Sequence, residues 1–186
     1  MRRPLAALLA LVAVTLPAAA DDPKLPGPKI EWPEVKGFTK GKLQVFPQAA
    51  LGYSLSYDAP GVAVTAYVYN KGLPKIPDGA KSQALKEEMR QAAGDLEAAR
   101  QRGLYTSVKE VGGEAAVALN KGKDARVALR RQFEVGRKDG TRLSDVYLTA
   151  YKDHFVKLRV TYNPEGKAEA ETKIAALLEA IGDRLK

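Results

Sequence analysis

The chain has 186 residues, with 30 Lys and Arg against 22 Asp and Glu, a formal charge of +8, one His and no Cys. Without a thiolate, thiol catalysis, iron–sulfur ligation and Cys-based zinc sites are excluded. With a single His, metal binding would fall to carboxylates alone, and no Asp-rich calcium loop is present.

The first twenty residues read as a secretory signal peptide. Arg2 and Arg3 form a positive start, and Leu5 to Leu16 is an apolar run too short to cross a bilayer as a helix. Pro17 and Ala18-Ala19-Ala20 supply a small-residue cleavage site, with the cut expected after Ala20. The mature chain is therefore expected in the periplasm or outside the cell, with no transmembrane segment. That setting permits disulfides, yet the chain has none, so core packing alone must hold it. The basic excess reads either as an ordinary mixed-sign surface or as weak, salt-sensitive attraction to anionic envelope polymers or head groups. Nucleic acid is not an expected partner of an exported chain, and the strands lack the interleaved aromatic and basic run that binds single strands.

Residues 21–42 form a Pro- and Gly-rich extended arm. Trp32, the only Trp, sits in it beside Ile30 and Val35 and is expected to pin the arm to its own domain. Residues 43–186 read as one domain of a size that buries a core. Leu43 to Phe46 begins it. Leu51 to Tyr57 and Val62 to Tyr69 alternate as a hairpin across Asp58-Ala59-Pro60-Gly61. Ala80 to Arg102 is predicted as a helix, with Leu85, Met89, Ala92, Leu96 and Ala99 on one stripe, Asp78 or Ser82 as cap and Gly103 as stop. Gly94 suggests close packing against a sheet, and Glu87-Glu88 reads as helix surface.

Tyr105 to Val111 and Glu114 to Leu119 read as strands broken by Gly112-Gly113. Ala125 to Gly136 alternates Val127, Leu129, Phe133 and Val135 with Arg130, Gln132 and Glu134, Arg131 falling in line with the apolar set. Lys138-Asp139-Gly140 is a hairpin turn. The next two strands, within Thr141–Asn163, are joined at Lys152-Asp153-His154. Asn163 and Pro164 are expected to cap and open a last helix carrying Ile174, Leu177, Leu178, Ile181 and Leu185 inward.

The most site-like feature is a set of residues on the expected wetter faces of three neighbouring strands: Arg130, Gln132, Glu134, then Asp145, Tyr147, Thr149, Tyr151, then Lys157, Arg159 and Thr161. Together they would make a polar, aromatic patch of mixed charge, suited to a partner or ligand. The plainer alternative is a solvated sheet face with cross-strand ion pairs. An enzyme reading would join His154 to Asp153 or Asp145 and to Ser144, but no nucleophile elbow, zinc-binding His pair or phosphate loop accompanies them. No catalytic residue, metal or cofactor is assigned.

An early hairpin (LGYSLSYDAPGVAVTAYVYN), a long amphipathic helix, the meander ending LSDVYLTAYKDHFVKLRVTYN and a closing helix from Pro164 together resemble the Mog1/PsbP-like fold. The pattern is also similar to DcrB-like bacterial envelope proteins. The resemblance covers most of residues 43–185. It implies an α+β domain, an antiparallel sheet of about six to seven strands packed with two long helices as an α/β/α sandwich. It also implies a non-catalytic binding or assembly role, and transfers no site residue. The expected function is an exported envelope protein that binds a protein or small ligand on its sheet face or in the cleft beside the long helix. The alternatives are an unrecognised hydrolase-type enzyme, or adhesion to anionic envelope polymers.

Overall fold

The structure is a computed structural model that describes residues 25–186. The signal-peptide reading, residues 1–20, lies outside them. An antiparallel sheet runs through the molecule, built from β1 (Thr39–Lys40), β2 (Gln44–Val45), β3 (Tyr53–Ala59), β4 (Val62–Tyr69), β5 (Ser107–Glu110), β6 (Ala115–Ala118), β7 (Val127–Arg137), β8 (Gly140–Tyr151) and β9 (His154–Tyr162). The order is β1-β3-β4-β9-β8-β7-β5, with β2 also on β3 and β6 also on β7. The sheet has nine strands rather than six to seven, because each edge is made of two short strands that share one long neighbour.

Two helices cover opposite faces. The first, α1 (Gln83–Gln101), buries Leu85, Met89, Ala92 and Leu96 against Leu129, Phe133, Val146, Leu148 and Phe155. The second, α2 (Lys167–Arg184), buries Ile174, Leu177, Leu178 and Ile181 against Tyr53, Tyr57, Leu158, Val160 and Tyr162. Each predicted helical stripe is therefore the buried one, and the layers are α/β/α. Among the described residues no helix is long and apolar enough to cross a membrane.

The arm lies on the α2 face. Ile30 is buried there, and Trp32, Val35 and Phe38 pack against the same cluster. Two core tyrosines hold it by main-chain carbonyls: the Tyr53 hydroxyl donates to Pro28 (2.6 Å) and that of Tyr57 to Pro33 (2.9 Å). Burial pushes the Tyr53 phenol up to about 12.

Three local readings are corrected. The second helix begins at Lys167, not Pro164: Gly166 takes a left-handed φ of 79° as the cap, and the Lys167 N–H closes a turn onto the Pro164 carbonyl. Gly94 is exposed, and a Cβ there would meet nothing within 4 Å, so it marks no close packing. Glu88 is 5% exposed, not on the helix surface. It lies three residues after Leu85 and four before Ala92, which puts it on the stripe that faces the sheet.

Candidate functional site

The hairpin between β8 and β9 decides which residues can act together. Lys152 and Asp153 both have left-handed φ angles (47° and 57°), and Tyr151 pairs directly with His154. The turn has two residues. From that pairing, Thr149 lies opposite Val156, Tyr147 opposite Leu158, and Lys157 opposite Leu148. Opposed residues of an antiparallel pair share a face. The expected patch is therefore split. Arg130, Gln132, Glu134, Asp145, Tyr147, Thr149 and Tyr151 look toward α2, while Lys157, Arg159 and Thr161 look toward α1.

The α2-side group is not a wet surface. Helix α2 and the arm cover that side, and Asp145, Tyr147, Thr149 and Tyr151 are all buried. Asp145 accepts from Arg130 (2.7 Å), from Gln132 (2.8 Å) and from the Tyr147 hydroxyl (3.2 Å). Gln132 also donates to the Tyr162 hydroxyl at 2.9 Å. Thr149 donates to the Val127 carbonyl. Burial and the Asp145 carboxylate hold the Tyr147 phenol above its ordinary range. These residues form a polar network inside the fold in which the Arg130 Nε is left without a partner, and Glu134 stays half-buried beyond it.

The other face is open over β4 and β9. Along these strands the α2-facing residues, Val64, Ala66, Leu158 and Val160, are buried, while Thr65, Tyr67, Lys157 and Arg159 are only half-buried. Helix α1 sits over β8 and β7 and leaves this half of the sheet as the floor of a groove. One cavity of about 250 Å³ is walled by Phe46, Leu51, Glu88 and Asp95, and floored by Tyr67, Tyr69 and Lys157. A second of about 270 Å³ continues along Thr65, Tyr105, Arg137, Arg159 and Thr161.

Aromatic rings carry the cations of this groove. The Lys157 ammonium lies 5.2 Å from the ring centroids of both Tyr67 and Tyr69. Arg159 donates to the Tyr105 hydroxyl and lies 5.9 Å from that ring, and Arg137 approaches the same ring at 6.0 Å. At one end the buried Glu88 accepts from the Tyr69 hydroxyl at 2.6 Å and pairs with Lys71. Lys71 also donates to Gln91 at 2.8 Å. Glu88 is thereby satisfied by Tyr69 and Lys71, and it joins burial in pushing the Tyr69 phenol up.

Lys157 differs. Among the described residues it has neither a carboxylate partner nor a hydrogen bond, whereas Lys71, Arg126, Arg130 and Arg131 each pair with an acid and the half-buried Arg159 donates to the Tyr105 hydroxyl. Burial lowers its pKa, opposed by Glu88 and Asp95 and aided by Lys71 and Arg159. Such an arrangement can take an anion: a charge already stripped of much of its water gains most from an incoming counter-charge.

The residues of the enzyme reading do not meet. Ser144 lies on the α1 side of β8, fully buried, seven residues from Tyr151 and so about 23 Å along the strand from the His154 pairing. Asp145 points to the opposite face, and Asp153 accepts from the Ile76 N–H. His154 contacts the Lys152 carbonyl through Nδ1 and lies close against Gly27. Among the described residues no group of three or more His, Asp or Glu converges as a metal site.

The sequence reading named Lys157 and Arg159 but not their neighbours Tyr67, Tyr69, Tyr105, Glu88, Asp95 and Arg137. The Glu88 spacing was a usable signal; the approach of Tyr105 and Arg137 depends on the chain path after α1 and carried none.

No family model matches the chain, and no curated protein matches it in sequence. Among solved structures it is similar to a point mutant of the protein Mog1, with 12% identity and a TM-score of 0.40 over 81% of this chain and 84% of that one. It is also similar to the Saccharomyces cerevisiae Ran-binding protein Mog1p, with 12% identity and a TM-score of 0.34 over 80% of this chain and 93% of that one. The α+β assignment rests on the strand order and the two helix-covered faces of the molecule itself.

Proposed function

We propose that this chain is an exported, non-catalytic binding protein that takes an anionic group of its partner or ligand into the groove between α1 and the open half of the sheet. The observation that carries this reading is Lys157, a half-buried ammonium between two tyrosine rings with no acid partner among the described residues. Export is supported by the signal-like first twenty residues. The binding reading accounts for a cation kept in a position that costs stability when empty. A photo-crosslinking residue placed at Tyr67, on the groove floor, tests it in the protein's native cells, with one at Lys86 on the exposed side of α1 as control. A discrete adduct from position 67 alone, weakened by added salt, is expected. Equal and diffuse labelling from both positions would overturn the reading. N-terminal sequencing of the same material tests export, with Asp21 expected as the first residue.

A further inference from the structure

We infer that the occupant of this groove is an extended, acidic segment of a polypeptide, an inference that rests on the binding reading above. The cations of the floor stand in a row, not around a point. Lys157 and Arg159 are two residues apart on β9, which sets their Cα atoms about 6.6 Å apart. A second extended chain has the same spacing between alternate side chains, so Glu or Asp at i and i+2 meets Lys157 and Arg159 in step. Arg137, with its head against Tyr105, stands at the far end of the groove. The floor from Lys157 to Thr161 runs about 13 Å, room for some four extended residues.

Three further features separate a peptide from other anions. The rings of Tyr67, Tyr69 and Tyr105 already carry cations on their faces, so they are not free to stack on sugar rings. A compact, densely charged ion such as pyrophosphate would sit beside Asp95, an exposed acid on the α1 wall with no cation partner among the described residues. A peptide instead offers N–H donors to that wall while its acidic side chains reach the floor. Finally, β4 and β9 are interior strands whose backbones are paired on both sides, so the occupant cannot join the sheet as a strand and must be read through side chains.

The test uses immobilised full-length mature protein and four pools of 13-residue peptides. Each peptide carries four Glu, placed at i,i+2, at i,i+3, at i,i+4 or in one block, with the other positions random. The i,i+2 pool is expected to be retained at least tenfold more strongly than the others, and that preference is expected to vanish in the Lys157→Gln/Arg159→Gln double variant. Circular dichroism and melting of the variant establish that it is folded. If all pools bind equally while the double variant loses them, the groove binds anions without reading an extended chain, and this inference alone fails. The inference also fails if a uronic-acid tetramer or pyrophosphate displaces the best peptides at lower concentration than the peptides themselves require. If the folded double variant retains every pool unchanged, the binding reading fails with it.

Discussion

Tyr151 pairs with His154 across a two-residue turn, and this one contact fixes which side of the sheet every residue of β8 and β9 faces. Both turn residues, Lys152 and Asp153, take left-handed backbone angles, which cost a side-chain-bearing residue about 1 kcal/mol or more. Asp153 is retained for its bond from the Ile76 N–H, whereas Lys152 is exposed. Lys152→Gly is expected to stabilise the fold by about 0.5–1 kcal/mol, and Lys152→Val to destabilise it by at least about 1 kcal/mol. Urea unfolding of the two variants checks the opposite signs.

Asp145 is expected to matter for stability and not for binding. It is 1% exposed and holds Arg130, Gln132 and Tyr147 together under α2. Asp145→Ala strands three donors, one of them a guanidinium, and should cost about 3 kcal/mol. Glu134→Ala, at the rim of the same strand face, should stay within about 0.5 kcal/mol. Retention of acidic peptides by folded Asp145→Ala should equal that of the parent, because the network and the groove lie on opposite faces. A parallel loss of affinity would place the binding surface on the α2 side instead.

The arm offers a third expectation. Replacing Tyr53 and Tyr57 by Phe removes the hydroxyls that hold the Pro28 and Pro33 carbonyls, at about 1 kcal/mol each. The rings stay in the core, so the domain should melt as one unit while the arm opens more often. Trypsin should then cleave after Lys29 and Lys36 about tenfold faster, and the emission of Trp32 should shift to the red. Unchanged cleavage would mean that the apolar contacts of Ile30 and Trp32 suffice to hold the arm.

The fold was legible because its signals are local and strong. The stripes of α1 and α2 and the alternation of β4, β7 and β9 follow from side-chain period, and their apolar faces are the buried ones, while the exposed turn at Asp139-Gly140 follows from its residue types. The site was only half legible. A three-residue turn at 152–154 would have paired Tyr151 with Phe155 and put Tyr147 and Lys157 on one face; the two-residue turn reverses every assignment on β9. Nor does alternation on β8 mean a wet side, since both helices cover that strand and its polar residues are buried as a network. The polar rows of β8 and β9 read alike in sequence. Only the placement of α1, over β7 and β8, leaves the one open.

Two glycines separate structural need from tolerance. Gly52 has φ 67°, and a Cβ there would fall 1.7 Å from the Val68 carbonyl oxygen. Gly52→Ala should cost at least about 3 kcal/mol, since the neighbour is sheet backbone that cannot move aside. Gly94→Ala, in an exposed helical position with open space around it, should gain about 1 kcal/mol. Thermal melts of the pair check both signs.

Lys157 carries the pH dependence. Burial lowers its pKa in the folded chain below the unfolded lysine value of about 10.4. Between those two values the unfolded chain holds the extra proton, so stability rises with pH across that window. Below it, the folded protein bears the full cost of a desolvated ammonium. Lys157→Met removes that cost and should melt higher than the parent at neutral pH, with the gap closing as pH rises through the folded pKa of Lys157. Paired melts from pH 7 to 10.5 read this directly, and a gap that stays constant would mean that the variant acts by packing alone. An anionic peptide in the groove favours the charged form and raises the same pKa, so its affinity should fall as pH rises toward that window. A Cε-labelled NMR titration should show Lys157 losing its proton below the ordinary lysine range, and later once the peptide is bound.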